Sequence, residues 1–526
     1  MLKVRPVIII LAIMLAVSAS YVSSLNGVFL FDDYTAIVNN PSIIGEKSIP
    51  VDTRMLVNLT FRLQSECGLI TAADFHLINI IIHISAALFL FGLVRRTIIL
   101  CGRDADDLDA LLFSSFCAVA WGVHPMTTQA VTYICQRYES MMGMFILASL
   151  YFFARALSSG PDKRLYYNLS LASCLLGAFC KEVMVSAPLV ILAYDYVYSG
   201  RGWRDIWSER KAYYIALFLI DLVVVVLWLG TVARTVEMGL CVASTMGRAE
   251  YLMHQSMTVM VYLKAVLYPA ELCFDYGHIA ATAGMLMPHL LMAGFLLVSA
   301  LLLLARKRTA GFLGAAFFLL LAPTSVLIPL PDVIVEHRMY LPLACAVVLV
   351  AAGIKHVTAA NPHGGAVFSV LMLGLCLALG LMTYSRNIVY HSEESMWRDV
   401  VDRRPGNLRA RNDLAISLSQ SGRYKAAMEE YERVLHAIPS VLRMKLDAGE
   451  QTLAPPAVKD SFEYEYFRAN VNMGVMEYSL RKDLDSAIYR IGKALKVMPW
   501  EPNAVLKYEA MVNLRNQAVV KDVGGQ

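Results

Sequence analysis

Long apolar runs separated by short polar breaks fill most of the 526-residue chain, and the pattern turns polar near Arg386. A run of about 18 to 20 apolar residues is long enough for a helix to cross a bilayer. The first run follows Lys3 and Arg5, ends near Ser24, and reads as an uncleaved signal-anchor. Further spans are expected at about 75–94 and 109–123, in a segment ending near Arg155, and at about 165–179, 183–199, 212–230, 286–305, 310–329, 339–355 and 365–384. Segment 254–272 is apolar too. A full crossing there would place Arg306, Lys307 and Arg308 outside, so it reads as re-entrant or interfacial. About eleven crossings result.

Basic residues set the orientation. Lys3 and Arg5, Arg95, Arg96 and Arg103, Arg155 with Lys163 and Arg164, and Arg201 to Lys211 all mark the cytoplasmic side. The loop at about 25–75 is then external. Within it, Arg54 to Arg62 carries apolar residues at helical spacing, as a short helix lying on the membrane surface would.

The polar tail, 386–526, has the spacing of helical repeats. Ala415, Gly422, Ala427, Tyr431 and Pro439 fall at tetratricopeptide (TPR) offsets, and Gly474, Ala487, Ala494 and Pro499 repeat them with one extra residue. The insert at 453–456 interrupts the period. The expected fold is therefore all-α: a polytopic transmembrane domain over 1–385, then a short extracytoplasmic TPR solenoid over 386–526.

Composition agrees. Mean hydropathy is +0.54, with 57% hydrophobic and 17% charged residues, too apolar for one soluble core. A net charge of +4 scattered in small clusters excludes a nucleic-acid patch and leaves membrane lipids as the surrounding partner. The ten cysteines lie between Cys67 and Cys376 without CxxC spacing, so neither a disulfide framework nor a zinc site is expected.

With this topology, the ionisable groups that interrupt the apolar runs all reach the outer face. They are Asp32 and Asp33, Arg62, His76, His124, Gln136 to Glu139, Lys181 and Glu182, and Glu336, His337 and Arg338. Charges beside hydrocarbon are costly unless paired or hydrated, so one shared cavity accounts for them economically. Asp32 and Asp33 suit general-base work on a hydroxyl, although the same pair also reads as a polar cap on the first span. Arg137, Lys181 and Arg338 suit a phosphate held at the membrane surface; snorkelling to headgroups is the alternative for each. Asp221, alone in an apolar run, reads as a buried acid without a site role.

These motifs resemble a known family. Phe31, Asp32 and Asp33 with Ala36, Ile37 and Asn39, then His124-Pro125, Arg137 and Glu139, Lys181-Glu182, and Glu336 to Pro342 follow one another as in the transmembrane and TPR-repeat-containing O-mannosyltransferases. That family sits in the GT-C superfamily of polyprenyl-phosphate-sugar-dependent glycosyltransferases. The resemblance implies inverting transfer of a sugar, mannose or another hexose, from a polyprenyl-phosphate carrier to a Ser or Thr hydroxyl of an exported polypeptide bound by the TPR tail. It implies Asp32 and Asp33 as catalytic, with the first acid the preferred base, and Arg137, Lys181 and Arg338 as donor-phosphate contacts. His124, Glu139, Glu182, Glu336, His337 and Arg62 are implied as supporting groups, and a divalent cation, Mg or Mn, is left as an option. After His124-Pro125 the family pattern has a second His and then an acid, where this chain has Thr127 and Gln129.

The short TPR array and cysteine-free tail fit a bacterial inner membrane with a periplasmic tail; in a eukaryote the equivalent side is the ER lumen. Transfer to lipid A or another envelope glycan, en bloc oligosaccharide transfer, and a non-catalytic TPR scaffold are the competing readings.

Overall fold

The computed structural model describes residues 6–102, 108–158, 160–237, 246–277, 281–327, 330, 332–449 and 461–524. Lys3, Arg5, Arg103 and the 453–456 insert lie outside the described residues. Every regular element is helical, and no strand occurs among the described residues. The chain forms two compact units: 1–235 with 246–272 and 281–392, and 393–526 with 236–245 and 273–280.

The larger unit contains α1 (Pro6–Tyr21), α2 (Met55–Glu66), α3 (Ala72–Leu100), α4 (Leu108–Gly122), α5 (Thr128–Thr132), α6 (Arg137–Ser158) and α7 (Lys163–Ala178). It continues with α8 (Ala187–Tyr198), α9 (Trp203–Glu237), α10 (Arg248–Leu267), α11 (Ala283–Ala305), α12 (Thr309–Ala322), α13 (Pro342–Thr358) and α14 (Gly364–Ile388). Among the described residues, seven helices are long and apolar enough to cross a membrane, eight if α4 and α5, bent by 51° at His124-Pro125, form one span. This is an integral membrane protein. The other three expected spans fall on α7, α8 and α13, which have 16, 12 and 17 residues. The expected interfacial segment 254–272 falls mostly on α10.

Lipid tails are as apolar as leucine, so membrane helices associate by close packing rather than by hydrophobic expulsion from water. The contacts follow that rule. A Cβ on Gly143 would come within 2.7 Å of the Tyr340 ring, and one on Gly122 within 2.8 Å of Val17. In contrast α9 and α11 turn most of their apolar residues outward, as lipid-facing helices do.

The smaller unit consists of α15 (Glu393–Arg403), α16 (Leu408–Gln420), α17 (Tyr424–Ala437), α18 (Ser440–Ala448), α19 (Phe462–Arg481), α20 (Leu484–Val497) and α21 (Pro502–Gly524). Helices α16 and α17 pack as one hairpin and α19 and α20 as another, in a solenoid of TPR-like arrangement. The small residues that set the repeat spacing are where the helices meet: Ala415, Ala427, Ala487 and Ala494 are fully buried. Gly474 lets α19 approach α20, since a Cβ there would come within 2.8 Å of Ile491.

Candidate active site

The site is organised by the break between α4 and α6. Pro125 starts a helical turn because its missing N–H and fixed φ suit a first helical position, and His124 caps that turn: its Nδ1 accepts from the Met126 N–H at 3.1 Å. An accepting Nδ1 puts the ring proton on Nε2, which donates to the Val266 carbonyl at 3.1 Å. Both nitrogens of His124 are thereby committed to backbone.

The following residues are polar and buried, so each must find a partner. Thr127 donates to the His124 carbonyl at 2.7 Å, which leaves its hydroxyl oxygen to accept from Tyr21 Oη at 2.8 Å. Asn79 of α3 donates to the carbonyls of Val131 (3.0 Å) and Ile134 (3.2 Å). Thr132 donates to Asn387 of α14, whose amide donates to the Ser20 carbonyl. Segment 124–137 is thus pinned from α1, α3, α10 and α14 within a single unit.

The acidic pair attaches to this segment and divides into two roles. Asp33 is fully buried, with Oδ2 accepting the Leu30 N–H at 2.9 Å and Oδ1 accepting the Cys135 N–H at 2.7 Å. Burial pushes its carboxyl from the usual 3.8 up to about 7, against the pull of those two N–H donors. Asp32 is exposed, and its backbone N–H donates to Tyr133 Oη at 2.8 Å. Phe31, just before it, has φ of 44°, a left-handed conformation that non-glycine residues seldom hold unless their surroundings impose it. The anchored Asp33 holds the turn that presents Asp32.

Two cations, Lys181 and Arg338, act on His337 through their charge. Its backbone N–H and its Nδ1 both meet Gln129 Oε1, at 2.8 and 3.1 Å. Burial first, and then the charges of Lys181 and Arg338, hold the His337 ring well below the usual histidine range. Lys181 forms a buried ion pair with Glu139. Arg338 donates to the carbonyls of Val333 (3.1 Å) and Asp332 (2.9 Å), while Tyr262 Oη donates to the Val335 carbonyl at 2.7 Å and fixes the same strand of backbone.

No family model and no solved structure matches the chain. Curated proteins do. Protein O-mannosyl-transferase F38B6.6 of Caenorhabditis elegans is 22% identical over 446 residues, covering 80% of this chain and 61% of the relative. Human protein O-mannosyl-transferase TMTC3 is 22% identical over 495 residues, covering 82% of this chain and 52% of the relative. Mouse protein O-mannosyl-transferase TMTC4 is 23% identical over 486 residues, covering 78% of this chain and 64% of the relative.

The chain is similar to the TMTC protein O-mannosyl-transferases. It spans about half to two thirds of the length of these relatives. Beside that similarity, the residues expected to form the site behave unequally. Asp32, Asp33, His124, Glu139, Lys181, His337 and Arg338 all touch or adjoin segment 124–139 or its partners. Glu336 is buried at the start of the same turn as His337 and Arg338.

Arg137 is an expected phosphate contact whose geometry points elsewhere. It is fully buried and donates to Asn79 (2.6 Å), Thr60 (3.2 Å), Gln64 (3.1 Å) and the Phe75 carbonyl (3.1 Å), with the guanidinium 4.3 Å over the Phe61 ring. It cross-links α2, α3 and α6. Arg62 is half-exposed, paired at 2.8 Å with Glu66 one turn along α2 and donating to the Lys47 carbonyl. Glu182 is half-buried at the start of the turn after Lys181, near Arg54. Among the described residues, no three His, Cys, Asp or Glu side chains converge to hold a metal ion, and the site residues do not fit a divalent cation.

Sequence reading did not single out Asn79 or Tyr133 and treated Gln129 only as a departure. Asn79 had a visible signal, a lone amide inside an otherwise apolar run. Tyr133 had none.

Proposed function

We propose that this protein is an inverting protein O-glycosyltransferase that moves a hexose, mannose in keeping with the names of its relatives, from a polyprenyl-phosphate carrier to a Ser or Thr hydroxyl of an exported polypeptide. The carrier is undecaprenyl phosphate if the membrane is a bacterial inner membrane, where the site and the TPR-like solenoid face the periplasm. Similarity over about four fifths of the chain supports the reaction class. The unequal burial of Asp32 and Asp33 supports the choice of base.

In this reading the exposed Asp32 carboxylate takes the proton of the acceptor hydroxyl as its oxygen attacks the anomeric carbon. The bond from that carbon to the phosphate oxygen breaks, and its electron pair stays on the phosphate, where Lys181 and Arg338 offset the growing negative charge. Asp33 and Arg137 position the turn and the helices without touching substrate. His337, neutral and tied through Nδ1, presents Nε2 as an acceptor for a sugar hydroxyl. The solenoid holds the acceptor polypeptide.

The test is reconstitution of the full chain with a polyprenyl-phosphate hexose and an acceptor peptide, read by intact mass. A single-hexose increment that disappears in Asp32→Asn supports the reading. No increment with the native protein, or an undiminished one in Asp32→Asn, removes it.

A further inference from the structure

Between α3, α4, α6, α8, α12 and α13 lies a space of about 370 Å³, and the reaction described above does not use it. Its walls are apolar, and no charged residue lines it. Four hydroxyls reach it, and they are spent on one another. Thr97 donates to the Leu93 carbonyl at 2.8 Å, so in the 2.7 Å bond between Thr97 and Tyr194 the tyrosine is the donor; Tyr198 is hydrogen-bonded to Thr309. Little is left to hold water. An apolar cavity of about 150 Å³ already stays dry and takes a small hydrocarbon, and this one is more than twice that size.

The shape is that of a blind channel. Wall residues run from Thr309 to Leu320 along α12 and from Leu341 to Ala352 along α13, in each case about 16 Å at about 1.5 Å per residue. Over that length the volume leaves a width of about 5 Å. One end is sealed, because Ile146, Val190, Leu320, Leu341 and Ala344 are all buried. At the other, Thr309 is exposed and Ile98, Tyr198 and Ala352 are half-buried. The basic residues beside this open end, Arg308 before Thr309 and Lys355 after Ala352, mark it as cytoplasmic.

Close-packed interiors hold few voids larger than a water molecule, so an apolar channel of this size is a place for a guest. In a bilayer the guest at hand is hydrocarbon, and the mouth admits it from the cytoplasmic leaflet. The lipid-phosphate donor of the proposed reaction holds its phosphate on the outer side, where the channel is closed.

We infer that this channel holds one acyl chain of a cytoplasmic-leaflet phospholipid, with its ester end at Tyr198 and Thr309 and its methyl end against Ile146 and Leu341. Leu341 stands three residues after Arg338, so the chain fills space behind the turn that carries His337 and Arg338. None of the wall residues belongs to the proposed site, and a negative result here leaves the transferase reading as it stands.

The experiment is photolabelling of the full-length protein in phosphatidylcholine bilayers, read by mass spectrometry of the digested protein. The probes are two phosphatidylcholines, one with a diazirine at the terminal carbon of an acyl chain and one with it near the carboxyl end. The terminal probe is expected on Ile146, Leu147 and Leu341, and the carboxyl-end probe on Tyr198 and Thr309. Ala316→Phe sets a ring in the channel and should cut terminal labelling there roughly fivefold, with labelling of the lipid-facing α11 unchanged. Ala344→Leu should act in the same direction and replaces it if that variant does not fold. Terminal labelling confined to lipid-facing helices overturns the inference in the native protein alone. So does the reverse order of the two probes, or unchanged labelling in a folded channel-filling variant. Loss of the closed-end label on adding a polyprenyl phosphate also overturns it, by assigning the channel to the donor carrier.

Discussion

Gln129 and His337 share a single oxygen. Because the His337 backbone N–H is an unambiguous donor, the atom it meets must be the Gln129 carbonyl oxygen, and His337 Nδ1 must then carry its proton to the same acceptor. The tautomer of the ring is therefore set by a glutamine 208 positions earlier in the chain. Of the two positions that depart from the pattern the sequence resembles, Thr127 and Gln129, the second is the one that orients the histidine.

Gln129→Glu keeps both hydrogen bonds and adds a negative charge beside the ring, so it should raise the His337 pKa. If His337 acts in its neutral form, the acid limb of the transfer pH profile moves to higher pH; an unmoved limb would separate His337 from the reaction. Gln129→Ala leaves two donors without an acceptor and should lower stability by about 1–3 kcal/mol, measured by thermal unfolding.

The two acids should separate cleanly by substitution. Asp32→Asn is expected to cut transfer by roughly 10²- to 10⁴-fold, the range for loss of a general base, at unchanged melting temperature. Asp33→Asn sets an amide N–H₂ against one of two backbone N–H donors, so it should destabilise by about 1–3 kcal/mol. A reversed pattern, with Asp33→Asn well folded but inactive, would exchange the proposed roles.

Asp33 also predicts a pH dependence. Its folded carboxyl titrates near 7 against a usual 3.8, so the folded protein binds this proton more tightly than the unfolded chain does. The resulting stability is complete below about pH 4, declines as pH rises towards 7, and is absent above that. Asp33→Asn should flatten the melting temperature across this window relative to the native protein.

Arg137 and Lys181 are expected to fail differently from surface cations. Arg137→Met strands four acceptors in the interior and should cost on the order of 3 kcal/mol, with lowered expression as the first sign. Lys181→Met leaves Glu139 buried without its counter-ion, at about 3–5 kcal/mol, whereas Lys181→Met with Glu139→Gln should recover most of the stability. If the double variant folds yet no longer uses the lipid-phosphate donor, the lysine has a role beyond the ion pair.

In the solenoid unit, Asp275 accepts from Arg409 through both oxygens, each at 2.7 Å, and from the Gly277 N–H at 2.8 Å. Burial would raise this carboxyl, but the Arg409 guanidinium together with hydrogen bonds from the Gly277 N–H and Asn407 outweighs it, leaving the pKa below the ordinary value. The stabilisation is thus present at neutral pH and lost as pH falls through the acidic range. Arg409→Gln should destabilise this unit by about 3 kcal/mol near neutrality, with a smaller difference in acid, read by hydrogen exchange of α16.

The sequence by itself determined the all-helical class, the membrane location and the TPR-like spacing of the tail, because each is written in local periodicity: apolar runs of membrane length, and small residues at helix-pair offsets. It also marked Asp32, Asp33, Lys181, His337 and Arg338, since charges beside apolar runs stand out in any linear reading. Tertiary structure alone decided what those groups do. Arg137 and Arg338 are the same residue type at comparable boundaries, yet Arg137 is enclosed by acceptors from α2 and α3, while Arg338 bears on His337 beside Lys181. Asp32 and Asp33 are neighbours in the chain, and only the fold turns one to solvent and buries the other against Cys135. Hydrogen-bond partners are chosen by distance in space, and a linear pattern carries no information about residues 100 or 200 positions away.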